Sequence, residues 1–260
     1  MQGKRYAFID GLRGFTVLSM VCYHACWDLV NLAGFNWTWY QSAGAYIWQQ
    51  SICWVFIFLS GWCFNLGRRH FWRGLELLLW GTAITSLSLL LLPREAIIFG
   101  VLFFLGAATL ILTGLNRWFK AVPGYAGLGL SVALFVLVRN INDGALGFEG
   151  WQLVSLPVSW YQYGYAGTFL GFKDAGFFST DYFSLLPWFF LYLAGYFAGR
   201  LLEERPAGSG MAADGTLAAA FPAAGTDWLG LKFLGRHALV VYLLHQPVLL
   251  GLMLLFVPTV

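Results

Sequence analysis

Residues 5–31, RYAFIDGLRGFTVLSMVCYHACWDLVN, form an apolar run long enough to cross a bilayer, yet they carry Asp10, Arg13, His24 and Asp28. An ionisable side chain at membrane depth costs several kcal/mol unless it is paired or lines a cavity. On a helical wheel of about 100° per residue, Asp10, Arg13, His24, Asp28 and Asn31 fall within an arc of roughly 60°. Asp10 to Asp28 measures about 27 Å along the axis at 1.5 Å per residue, close to the ~30 Å hydrocarbon thickness. One helix therefore displays a polar stripe from one membrane face almost to the other, and that stripe must face protein or water. The fold class that follows is all-α: a polytopic membrane helix bundle.

Composition agrees. Of the 260 residues, 59% are hydrophobic and only 10% charged, where soluble domains have about 25% charged residues; the mean hydropathy is +0.69. The 13 Trp and 12 Tyr suit two interfacial aromatic belts. The length fits one transmembrane domain over 1–260, and the first apolar run reads as a retained span rather than a cleaved signal peptide. The net charge of +3 sits at helix ends and marks no nucleic-acid patch. Cys22, Cys26, Cys53 and Cys63 lie in apolar segments with neither zinc spacing nor a redox CxxC, so they read as buried small hydrophobes and no metal is expected.

Runs of about 20 apolar residues predict seven spans, near 11–32, 45–66, 72–92, 97–115, 122–138, 183–202 and 236–257. Between the fifth and sixth, 139–182 is too polar for a span, although 151–171 fits a re-entrant or interfacial segment. Lys4, Arg5, Arg68, Arg69, Arg73, Arg117, Lys120, Arg200, Arg205, Lys232 and Arg236 fall on one side; Arg94, Arg139 and Lys173 fall on the other. That bias places the N-terminus in the cytoplasm and, with seven spans, the C-terminus outside. The Gly/Ala/Pro-rich stretch within 203–233 reads as a mobile cytoplasmic connection.

A His–Asp pair at i, i+4 shares a helix face and can hydrogen-bond. A carboxylate on one imidazole nitrogen raises the basicity of the other. The same pair fits a satisfied helix-packing contact or a proton relay, so spacing alone leaves three readings open. Asp10 and Arg13, at i, i+3, suit an intrahelical ion pair; Arg69, Arg73 and Glu76 share one face of the third span. Arginines at this boundary serve either as topology anchors or as bidentate phosphate ligands. Trp151, Trp160, Tyr161, Tyr163, Tyr165 and Phe172 lie near Asp174 and Asp181 in the outer segment, as a membrane-surface layer or a sugar platform. His245, followed by Gln246, lies about 12 Å deeper in the last span than His237.

Four segments carry a resemblance. IDGLRGFTVLSMVCYHACWDL resembles the opening helix of the transmembrane acyltransferases, an Asp-x-x-Arg-Gly stretch with a deeper His. FIFLSGWCFNLGRRHFWRG, FFSTDYFSLLPWFFLYLAGYFAG and LGRHALVVYLLHQPVL resemble, in order, later segments of the heparan-α-glucosaminide N-acetyltransferase catalytic-domain family in its short bacterial form. The resemblance implies an acetyltransferase of the bacterial inner membrane. It would move an acetyl or other acyl group from cytoplasmic acyl-CoA to an outer-face acceptor, a glycan other than heparan sulfate. It implies His24, supported by Asp28, as base or acyl carrier, and Arg13 with Asp10, Arg69 and Arg73 as the cofactor end. The related arginine pattern is Arg-x-x-Arg, whereas here it is Arg69-His-Phe-Trp-Arg73. His245, Gln246 and Asp181 are the expected acceptor contacts. Expected partners are the lipid bilayer, acyl-CoA and the glycan, with a homo-oligomer compatible and no nucleic acid. A small secondary transporter or proton-coupled flippase using His24–Asp28 as a relay is the competing reading, and a non-catalytic packing role the third.

Overall fold

The computed structural model describes residues 7–203 and 230–256. Most of the connection expected over 203–233 lies outside the described residues, as do Lys4, Arg5 and Arg205. The helices are α1 Ala7–Asn31, α2 Ala43–Phe64, α3 His70–Leu91, α4 Val101–Ala121, α5 Gly124–Leu137, α6 Gly164–Leu170, α7 Leu185–Glu203, α8 Leu231–Arg236 and α9 Ala238–Phe256. This is an all-α polytopic membrane protein with one small hairpin. Among the described residues, five helices are long and apolar enough to cross a membrane: α2, α3, α4, α7 and α9. Two of the seven expected spans fall outside that set. α1 has 25 residues but carries interior charges, and α5 has 14, short of the ~20 a straight crossing needs.

The described residues divide into two compact units, 7–59 with 230–256, and 60–203. In the first unit, α1 runs parallel to α8 and α9. They cross in backbone contact: a Cβ on Gly14 would lie 1.8 Å from the Leu231 carbonyl oxygen, and one on Gly235 would lie 1.9 Å from that of Asp10. Small residues permit this approach, which supplies van der Waals packing where lipid offers no hydrophobic gain. The Arg13 guanidinium fastens the crossing, donating to the Gly235 carbonyl at 3.3 Å and to Asp10 Oδ1 at 3.4 Å. Arg236 pairs with the other Asp10 oxygen at 3.5 Å. Beyond it, Val17, Met20, Ile52 and Ala238 form a core flanked by Tyr23, Trp48 and Tyr242. Trp48 Nε1 donates to Ser19 Oγ at 2.8 Å.

The second unit is packed more tightly. α3 and α4 run antiparallel, with Gly74 against Leu110 and Gly81 against the Phe103 backbone. The end of α2 runs along α7, where a Cβ on Gly61 would meet the Tyr192 carbonyl oxygen at 1.9 Å. α5 packs antiparallel to α7, Gly127 facing the Phe197 ring and Phe135 the Trp188 ring. Polar groups in these helices find partners: Tyr192 Oη lies 3.1 Å from Thr109 Oγ1, and Tyr196 Oη donates to Asn116 Oδ1 at 2.8 Å. Arg200 donates to the Phe119 and Val122 carbonyls at the end of α4, at 2.9 and 3.1 Å. The Phe119 carbonyl also accepts from the Val122 N–H at 3.2 Å, and a guanidinium at this helix end adds a charge-assisted donor where the carbonyl dipoles point.

The 139–182 segment contains no long helix, so 151–171 is not a span. It opens with an antiparallel hairpin of β1 Ala145–Phe148 and β2 Trp151–Ser155. The two-residue turn places Glu149 at φ 50°. Asn140 braces it by donating to the Glu149 and Trp151 carbonyls at 2.8 and 3.0 Å. Arg139, only 9% exposed, pairs with Glu149 at 3.0 Å and lies over the Trp188 ring. Tyr182 donates to the Thr168 carbonyl at 2.6 Å; burial pushes its hydroxyl up to about 12, so it remains a donor throughout the physiological range.

Candidate active site

α1 and α9 bring four of the sequence-expected residues together. The rings of His24 and His245 lie 4.8 Å apart between centroids, inclined at 58°. His245 Nδ1 is 2.6 Å from the Tyr242 carbonyl oxygen. A carbonyl only accepts, so Nδ1 carries the hydrogen and a neutral His245 presents Nε2 as a free base. Asp28 is fully buried, and its Oδ1 accepts from Gln246 Nε2 at 2.7 Å. Pro247, one residue on, lies inside α9 and offers no backbone N–H to the preceding turn.

One expectation changes. The i, i+4 spacing predicts a His24–Asp28 hydrogen bond, but the Asp28 carboxylate is engaged across the helix pair by Gln246, and His24 faces the second imidazole. The cross-helix amide reaches the carboxylate more directly than a ring one turn back on the same helix. Within the Asp28–Gln246 contact, the buried Asp28 Oδ2 and Gln246 Oε1 have no donor among the described residues. A frame of aromatic rings surrounds the pair. Tyr23 stands edge-on to His24 at 6.2 Å, Tyr40 and Trp48 each lie 5.2 Å from Tyr23, and Tyr242 lies 5.5 Å from His245. Sequence reading passed over this frame; its signal was positional, since Tyr23 adjoins His24 and Tyr242 precedes His245 by three.

The other expected residues have their own settings. Asp10 and Arg13 form the ion pair their spacing predicts and tie α1 to α8. Arg69 and Arg73 belong to the second unit, exposed at the start of α3, with His70 stacked on Phe64 at 3.8 Å. Asp181, also in the second unit, accepts from the Val101 backbone N–H at 3.1 Å and so caps the first turn of α4. The four cysteines are free, but only Cys63 is buried, and Cys22 is exposed. Among the described residues no group of three His, Cys, Asp or Glu side chains could hold a metal.

A polytopic membrane protein thus brings two imidazoles together beside a buried carboxylate, on α1 and α9. Residues 5–247 match the family described as heparan-alpha-glucosaminide N-acetyltransferase, catalytic, and the chain belongs to that family. Membership marks it as a transmembrane acetyltransferase. No curated protein and no solved structure matches it.

Proposed function

We propose that this protein moves an acetyl group from cytoplasmic acetyl-CoA to a hydroxyl or amine of a glycan acceptor at the outer face of a bacterial plasma membrane. The observation that carries this reading is the His24–His245 pair beside the Asp28–Gln246 contact. In the proposed step the acceptor oxygen or nitrogen attacks the thioester carbonyl as His24 takes its proton. The new C–O or C–N bond forms, the C–S bond breaks, and the proton passes from His24 to the departing CoA thiolate. His245, its Nδ1–H held by Tyr242, orients the exchange, and Asp28 stabilises the transient imidazolium.

Arg69 and Arg73 are proposed to hold CoA phosphates, whose charge also suits the start of α3. Asp10 and Arg13 shape the same end of α1. Arg13 to His24 is about 16 Å along the helix, comparable to an extended pantetheine arm. The relative directions of the paired helices are compatible with seven crossings, and the basic-residue bias alone supports a cytoplasmic N-terminus. α1 and α9, as first and seventh, are parallel; α3 with α4, and α5 with α7, are antiparallel.

The test is CoA release from acetyl-CoA by purified protein in lipid nanodiscs supplied with a sugar or amino-sugar acceptor. His24→Ala should lower the rate by about 10³-fold, within the range for loss of a general base, without lowering yield or thermal stability. Turnover that survives in His24→Ala would move the base to His245. A wild type that releases no CoA yet carries a pH-gradient-dependent flux would establish the transporter.

A further inference from the structure

The helices of the second unit form a ruler for depth. α4 has 21 residues, about 31 Å at 1.5 Å per residue, and so matches the ~30 Å hydrocarbon thickness from end to end. α7 runs parallel to it, with Tyr192 beside Thr109, Tyr196 beside Asn116 and Arg200 beside the Phe119 and Val122 carbonyls. That register sets the first residues of α7 level with Gly106, about five residues or about 8 Å inside the Val101 end of α4. α5 has only 14 residues, and its Phe135 ring packs on Trp188 near the start of α7. α5 and α7 therefore both end short of the membrane surface on the side away from Arg200.

The segment that joins them occupies that gap. A bridge pairs Val138 with Gly147, and the Asn140 N–H donates to the Gly147 carbonyl at 3.2 Å, so the β1–β2 hairpin is seated directly on the end of α5. Arg139 is satisfied at this level by Glu149 and the Trp188 ring, as a charge held away from water must be. Residues 150–172 carry no charged side chain and no histidine. β2 is exposed on both faces, Trp151 by 82% and Leu153 by 67%, and Val154, Val158, Tyr163 and Tyr165 continue the surface. A contiguous apolar surface that a protein leaves uncovered marks a membrane or partner contact.

We infer that the hairpin and the turn after it are embedded in the lipid leaflet at this end of the bundle, Trp151, Leu153, Val154 and Val158 lying against acyl chains near the head-group boundary. The ruler sets their level, and Trp and Tyr are the side chains that favour this layer. The surface is continuous with the lipid-facing side of α5, where Val132, Val136 and Leu137 are exposed just before the Val138–Gly147 bridge. The free edge of β2 limits the depth. Its N–H and C=O groups find no partner in hydrocarbon, so the strand lies where ester oxygens and water reach it. The nearby carboxylates are committed elsewhere, Asp174 to the Gly176 N–H and Asp181 to the Val101 N–H, so this face offers a sugar no anionic partner. The lipid contact is independent of acetyl transfer.

The experiment uses the full chain in nanodiscs of phosphatidylcholine, a fraction of which carries a diazirine near the ester end of one acyl chain. Irradiation and peptide mass spectrometry should place the label on residues 151–158 and not on the exposed turn at 173–176. A water-soluble diazirine should do the opposite, labelling the turn and sparing β2. Leu153→Asp removes no buried contact, so thermal stability in detergent should hold within a few degrees. Its lipid label over 151–158 should fall by about threefold or more, because a carboxylate is driven out of hydrocarbon. Val158→Asp repeats the test outside the strand and serves if the first variant does not fold. Strong labelling of β2 by the water-soluble probe, with none from lipid, overturns the inference and leaves the aromatic face in solvent. Protection from both probes, with Trp151→Cys linking two copies by a disulfide, also overturns it and assigns the β2 edge to a second copy of the chain. CoA release enters neither readout, so failure here leaves acyl transfer standing.

Discussion

The two units treat their polar groups in opposite ways. In the second, Tyr192, Tyr196 and Arg200 each have a dedicated partner, and 61% of the apolar stretch of α7 is buried. In the first, only 6% of the stretch of α9 is buried, and the Asp28–Gln246 contact leaves two acceptors open. A closed hydrogen-bond network rigidifies, whereas an incompletely satisfied one is costly unless a ligand completes it. The second unit contributes packing, whereas the α1–α9 pair leaves buried hydrogen-bonding capacity unfilled among the described residues.

The most severe challenge to this contrast is steric. Gly61→Leu would drive a side chain into the Tyr192 carbonyl, and the protein should fail to accumulate as a monodisperse species on size-exclusion chromatography. Recovery at wild-type yield would mean that the α2–α7 crossing tolerates separation. Asp28→Asn should do the reverse. It keeps an oxygen for Gln246, so thermal stability should hold within a few degrees, while loss of the charge lowers turnover by about 10²-fold. A stability loss as large as that of a core deletion would make Asp28 a packing residue and erase the distinction.

Arg69→Ala tests whether the second unit is wholly scaffold. If it contributes a phosphate contact, the Kd for CoA by isothermal titration should rise by about tenfold, since charge-assisted hydrogen bonds are worth about 1.5–3 kcal/mol. An unchanged Kd returns Arg69 to the role of topology anchor. The smallest effect is expected from Tyr196→Phe, which deletes one hydrogen bond to Asn116. Stability should fall by about 1 kcal/mol in thermal melts, with CoA release unaltered; a large activity loss would show that the scaffold is coupled to the chemistry.

Local information carried most of the fold. The runs at 45–66, 72–92 and 236–257 match α2, α3 and α9 to within two residues, because twenty apolar residues in a row have few alternatives. The run at 97–115 misplaced α4, which starts at Val101. Residues 95–99 instead bond to the 179–183 strand-like stretch, with Phe183 N–H donating to the Phe99 carbonyl at 2.9 Å, a long-range pairing that hydropathy does not register. The hairpin at 145–155 escaped for the same reason. At the site, the stripe on α1 identified His24 and Asp28 from period alone. Their partners lie more than 200 positions away, so spacing favoured the intrahelical His–Asp bond over the amide from Gln246.

The parallel pairing of α1 with α9 has a consequence for biosynthesis. Asp28 and Gln246 are 218 positions apart, which at about 5–20 residues per second is roughly 11–44 s of translation. Through that interval α1 has been made and its partner has not. Asp10, Arg13 and Asp28 then lack the Gly235, Arg236 and Gln246 partners that α8 and α9 supply. Chains stopped before α9 should be degraded faster than the full chain in a pulse-chase measurement.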